Sequence, residues 1–250
     1  MKKLSYAKVF LSVLFITQLS FAQDATEIIK KADELIKSKS SYAEVSMTII
    51  KTDWTRTIGI KSWALEPDYA LMYITEPARD KGTVTLKRKK EVWNWIPAAQ
   101  KVIKIPPSMM LQSWMGSDFT NDDLVKESSI VNDYTHTLIG EEKFAGYDCY
   151  KIESIPKPDA GVVWGKLLYW VSKPQYFQLK VEFYDEDGFL VKTYFGSDIK
   201  EMGGREIPTH WEMVPVDRPG EKTVFVYHDV KFNINVDESF FSERNMKKVR

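Results

Sequence analysis

The chain has 250 residues, with 35 basic and 35 acidic side chains, 44% hydrophobic residues and a single cysteine. That balance carries no basic excess, which argues against a nucleic-acid partner, and one cysteine excludes an intrachain disulfide. The length and apolar content suit one well-buried domain.

Residues 1–22 read as a secretory signal peptide. Lys2, Lys3 and Lys8 give the basic start, an apolar run extends from about Val9 to Phe21, and Ser20 and Ala22 stand at the −3 and −1 places before Gln23. The run is too short and wrongly flanked for a membrane span. With no cysteine at the cleavage point, the mature protein is expected in the periplasm without a lipid anchor. Residues 23–250 then keep 32 basic against 35 acidic groups, a charge of −3. No repeat, low-complexity tract or linker divides them, so they read as one domain, expected to be a monomer.

The clearest helix is 24–39, where Asp24 and Glu27 have capping-box spacing and Ile28, Ile29, Ala32, Leu35 and Ile36 share one face. Strands follow at about 43–52, 55–65, 69–75, 82–88, 91–96 and 100–105. A second set falls near 133–140, 147–155, 163–172, 176–184, 189–199, 205–214 and 222–232. Turn signals at 145–148, 185–188, 201–204 and 217–220 separate the later strands. Phe177, Leu179, Val181 and Phe183 alternate with Gln178, Lys180 and Glu182, the pattern of an antiparallel sheet covered on one side. The charged alternates lack the lipid-facing band that an outer-membrane barrel needs. A sheet of this size twists, curls, and either closes or takes a cover over its concave face.

Between the two sets lies "PPSMMLQSWMGSDFTNDDL", residues 106–124. From Ser108 the spacing predicts a helix of about two turns over 108–115, with Met110, Leu111, Trp114 and Met115 on one face and Gly116 at its end. Thr120 and Asp123 then have capping spacing for a second short helix carrying Leu124 and Val125. Methionine is flexible and fills irregular gaps. The segment therefore reads either as a core plug or as a lid over an apolar cavity. The lid reading takes Met109, Met110, Leu111, Trp114, Met115 and Phe119 from the insert, together with Trp63, Met72, Trp93, Trp95 and Trp170 from the strands.

No chemistry beyond this emerges. His136, His210 and His228 are far apart and lack zinc-ligand spacing, and Asp118, Asp122 and Asp123 fit helix capping. Gly116-Ser117 lacks the second glycine of a nucleophile elbow, and no phosphate-binding glycine loop is present. Cys149 reads as a small apolar strand residue. No cofactor, metal or catalysis is expected. Lys87, Arg88, Lys89 and Lys90 read as a solvated hairpin tip, or as a contact to anionic headgroups or an acidic partner.

Four stretches carry a resemblance: "EPARDKGT" (76–83), "VWNWIP" (92–97), "MGSDFTNDDL" (115–124) and the closing "VDESFFSERNMKKV" (236–249). They resemble the LolA-like family of outer-membrane lipoprotein-sorting proteins. The resemblance implies an α+β fold: a mainly antiparallel, strongly curved sheet forming an incomplete, half-open β-barrel, covered by the N-terminal helix and a short helical lid. It also implies a soluble periplasmic carrier for lipoprotein acyl chains or lipid, served by an inner-membrane transporter of the RND or ABC type or by an outer-membrane acceptor. One position departs from the family. Where an arginine is expected to hold the lid by its backbone carbonyls, this chain has Glu66 before Pro67, and an ionised carboxylate donates no hydrogen bond. An accessory or sensor module that docks an exporter or an envelope signalling protein is the alternative.

Overall fold

The computed structural model describes residues 24–126 and 130–250. The expected signal peptide, 1–22, and the side chain of Val125 lie outside the described residues.

Helix α1, Ala25–Ile36, begins where Asp24 accepts the Thr26 N–H at 2.9 Å, and it ends three residues short of the expected bound. Its stripe of Ala25, Ile28, Ile29 and Ala32 is buried, each large aliphatic side chain contributing about 1.5–3 kcal/mol. It is followed by β1 (Ser40–Ile50), β2 (Thr55–Leu65), β3 (Tyr69–Glu76), β4 (Val84–Arg88), β5 (Glu91–Ile96) and β6 (Lys101–Lys104). After the insert come α2 (Asn121–Lys126), α3 (Ile130–Asp133) and β7 (Tyr134–Phe144). Then follow β8 (Tyr147–Pro156), β9 (Lys166–Ser172), β10 (Gln178–Tyr184), β11 (Leu190–Met202), β12 (Arg205–Pro215) and β13 (Lys222–Phe232).

All thirteen strands form one antiparallel sheet in the order β6-β5-β4-β3-β2-β1-β13-β12-β11-β10-β9-β8-β7. Two sequential meanders, β1–β6 and β7–β13, meet where β13 returns to β1, with Met47 opposite Phe225. The sheet is not closed. Its free edges are β6 and β7, neighbours in sequence, and the insert of 105–133 connects them. The expected half-open barrel is therefore found, and the seam left open is the one the insert spans.

Two expectations change. The sheet is covered on both sides at β2–β5, because residues 236–249, including α4 (Glu243–Met246), pack on the opposite face from the insert. Leu71, Tyr73 and Leu86 bury against Phe241, Met246 and Val249, while Met72 and Ile74, alternating with them, join the cluster around Trp114. Residues 108–115 are also not a helix. Pro107–Met109 makes one 3-10 turn, and the chain then forms a tight hairpin with a bridge between Ser113 and Thr120. The Trp114 N–H donates to the Phe119 carbonyl at 2.7 Å, and Met115 and Gly116 take φ of 55° and 79°. Consecutive left-handed residues end any helix, and glycine adopts that conformation without a Cβ penalty. The second short helix is present as α2, with its capping box formed: Thr120 N–H to Asp123 Oδ2 at 2.8 Å, and Asp123 N–H to Thr120 Oγ1 at 3.1 Å.

Candidate functional site

The insert fills one half of the barrel and leaves a cavity in the other. Trp114 is 2% exposed among Met47, Ile49, Ile58, Ile60 and Ile74, and its indole N–H donates to Thr85 Oγ1 at 3.1 Å. Met72, Met115 and Leu124 pack around the same cluster. Beyond it, under α1, α2 and α3, lies a cavity of about 130 Å³. Tyr134, Trp164, Tyr169, Phe183, Tyr194 and Met213 supply much of its wall, and Phe119 reaches it from the insert. The Phe119 ring meets Tyr194 and Phe225 edge-on, with centroids 5.7 and 5.0 Å away. Burial raises the Tyr134 phenol well above its ordinary range, with Asp133, Asp122 and Asp123 adding to the effect.

The residues expected to act together are thus divided among several places. Trp114, Met115, Met72 and Phe119 are in the interior. Met110 packs on Val92 and Ile105 beside the open seam. Met109 and Leu111 are exposed, Leu111 by 63%. Trp63, Trp93 and Trp95 belong to the cluster under the C-terminal segment, with Trp63 5.6 Å from Phe240. Trp170 lies on the opposite face of β9 from Tyr169, between the ammonium groups of Lys151 and Lys180 at 4.7 and 4.0 Å from its ring. Of the cavity aromatics of the second meander, the sequence pattern marked only Phe183, as an alternating strand residue. Strand alternation separates Tyr169 from Trp170, but choosing the inner one requires knowing that α1 packs there.

The basic hairpin is likewise divided. Arg88, Lys89 and Lys90 are exposed at the β4–β5 turn. Lys87 is 5% exposed, and its ammonium donates to the Pro67 carbonyl at 3.0 Å, so it forms no part of a solvated tip. Alternation sends the side chain of Lys87 to the Thr85 side of the strand, away from water.

The insert is held at its hairpin tip by charge. Asp118 has a side chain 1% exposed and takes Lys51 Nζ at 2.7 Å and Arg218 Nη1 at 3.0 Å on one oxygen. The other oxygen accepts the Thr223 hydroxyl at 2.7 Å. Lys51 also pairs with Glu221 at 3.0 Å, which lowers the Glu221 carboxyl below its ordinary range. Nearby, the Arg56 guanidinium donates to the Met115 carbonyl. An arginine contact to the backbone of the insert is thus present, made by Arg56 on β2 and not at position 66. Cys149 is fully buried, and burial raises its thiol above the ordinary range, as suits a packing residue.

Three solved structures share this fold. A DUF1329 family protein from Desulfovibrio piger superposes with a TM-score of 0.80 at 26% identity, covering 89% of this chain and 97% of its own. A Vibrio parahaemolyticus domain named for outer membrane lipoprotein sorting gives 0.77 at 25% identity, covering 90% and 98%. The LolA superfamily protein NE2245 from Nitrosomonas europaea gives 0.75 at 24% identity, covering 89% and 99%. The half-open barrel with an insert across its seam is therefore of the LolA-like class. A family model described as "-like: Uncharacterized protein" matches residues 66–248, so the chain belongs to that family, and its fold is LolA-like. No curated protein matches the chain.

Proposed function

We propose that this protein is a periplasmic carrier that shields acyl chains of lipoproteins or lipids inside the barrel and delivers them to a transporter or an outer-membrane acceptor. The observation that carries this reading is the aromatic cavity beneath α1 and the insert, in a fold shared with a protein named for lipoprotein sorting. The mechanism is burial. Each Å² of acyl surface taken from water contributes roughly 25 cal/mol, and no bond is made or broken.

The resting cavity of about 130 Å³ is no larger than the ~150 Å³ that admits one benzene. A whole acyl chain therefore requires the insert to withdraw Trp114 from the first meander. Lys89 and Lys90 on the β4–β5 turn share one groove with Pro107 and Met110 of the insert, which gives the carrier an amphipathic surface for contact with a membrane or acceptor.

Native mass spectrometry with organic extraction of protein purified from a bacterial envelope tests the reading. A bound diacyl lipid or acylated peptide is expected. A clean apo mass, with no uptake of fluorescent acyl probes, would overturn it in favour of the docking module.

A further inference from the structure

The interior also contains a charge that burial of hydrocarbon does not use. Lys192, on β11 two residues before the cavity-lining Tyr194, has a side chain 6% exposed. Its ammonium lies 2.9 Å from Asp123 Oδ2. Around it stand the rings of Trp164, Phe183 and Phe119, with centroids 4.8, 5.2 and 5.8 Å away. Asp123 and all three rings line the cavity. Among the described residues Asp123 is the one ion-pair partner of Lys192.

A buried ammonium needs an anion, because aromatic faces offset only part of the lost hydration. The carboxylate has another occupation. Asp123 Oδ2 also accepts the Thr120 N–H that caps α2, and its side chain is 17% exposed, so it can leave Lys192 without losing its role. Asp33, the nearby acid on α1, is already paired with Lys37 at 2.6 Å.

We infer that Lys192 is the receptor for an anionic head, carboxylate or phosphate, on the acyl ligand, and that this head takes the place of Asp123. The inference rests on the carrier reading and narrows its cargo to acidic amphiphiles. The exchange conserves charge at Lys192 and removes one tie between β11 and α2, so ligand entry loosens the insert at its α2 end. An uncharged head leaves the Lys192–Asp123 pair closed.

The test compares oleic acid, oleyl alcohol and oleoyl lysophosphatidate on the mature protein by displacement of a fluorescent acyl probe. Each affinity is read as a ratio to the alcohol within the same variant, so partial loss of folded protein cancels. Wild type should favour one or both acids by about tenfold, the scale of a single charge-assisted contact. Preference for one acid alone separates a carboxylate head from a phosphate, and preference for both defines the head by its charge. Lys192→Gln should bring the ratio close to one, and Lys192→Arg should retain it. Asp123→Asn still caps α2 and should raise the ratio, since the internal competitor is gone. A wild-type ratio near one, or a ratio unmoved by both Lys192→Gln and Asp123→Asn, would overturn the inference alone. If none of the three probes binds, the carrier reading falls with it.

Discussion

Asp118 concentrates the electrostatics of the insert in a single side chain, meeting Lys51, Arg218 and Thr223 with almost no exposure. Removing one member of a buried ion pair strands the other, at about 3–5 kcal/mol. Asp118→Ala should lower the urea midpoint accordingly with little change in slope, a difference read by tryptophan fluorescence. His136 gives a pH signature. Its Nδ1 lies 2.7 Å from Ser154 Oγ, and burial holds its pKa below the ordinary 6.5, with Lys157 acting in the same direction. The unfolded chain therefore binds more protons between the depressed value and 6.5. Stability is full above pH 6.5 and is lost as the pH falls through that window. His136→Gln should flatten the profile in unfolding titrations at a series of pH values. At this scale the burial of Trp114 and Phe119 was legible from their apolar neighbours. The placement of Trp63, Trp93 and Trp95 was not, because alternation gives two faces and nothing local says that residues 236–249 cover the outer one.

The C-terminal carbonyls of α1 are capped by a distant residue. Arg205, at the start of β12, donates to the carbonyls of Glu34, Leu35 and Lys37 at 2.8, 3.2 and 2.7 Å. These are acceptors that a helix end leaves without intrahelical partners, and a cation also suits the negative end of the dipole. Arg205→Ala should destabilise by about 1.5–3 kcal/mol, the range for hydrogen bonds to a charged group, and a thermal melt would show it. The start of α1 and the capping box of α2 were readable because both are local, Asp24 serving Thr26 and Asp123 serving Thr120. The predicted helix at 108–115 failed for a reason that periodicity does not encode. The apolar spacing of Met110, Leu111, Trp114 and Met115 served a hairpin whose bridge, Ser113 to Thr120, outweighs a two-turn helix without interior support.

Across the whole molecule the division of labour follows the two meanders. The first is filled by Trp114 and sealed outside by the C-terminal segment, and the second holds the cavity. Acyl binding should therefore loosen the insert without opening the ladders. Hydrogen exchange should show faster exchange over 106–124 when oleate is bound, while the amides of the β1–β13 and β11–β12 ladders keep their protection. Retained insert protection at saturating ligand would mean that the cavity loads without displacing Trp114. The strand count and the half-open form followed from repeated turn signals, the size of the sheet and the family motifs. Which edges stay free did not, since that depends on β13 finding β1.

That last pairing gives the molecule an order of assembly. Every other ladder joins strands consecutive in the chain, whereas Ser41 pairs with Phe232. The entropy of closing so long a loop grows with its length and is lost before any contact repays it. Each meander can zip by neighbouring hairpins, leaving the β1–β13 union as the late step. Val45→Ala on that union is then expected to speed unfolding while hardly slowing refolding, a φ-value near zero in stopped-flow chevrons. Until the union forms, β1 and β13 are raw edges alongside β6 and β7. A newly made chain is therefore most open to wrong partners in the interval before its two ends meet.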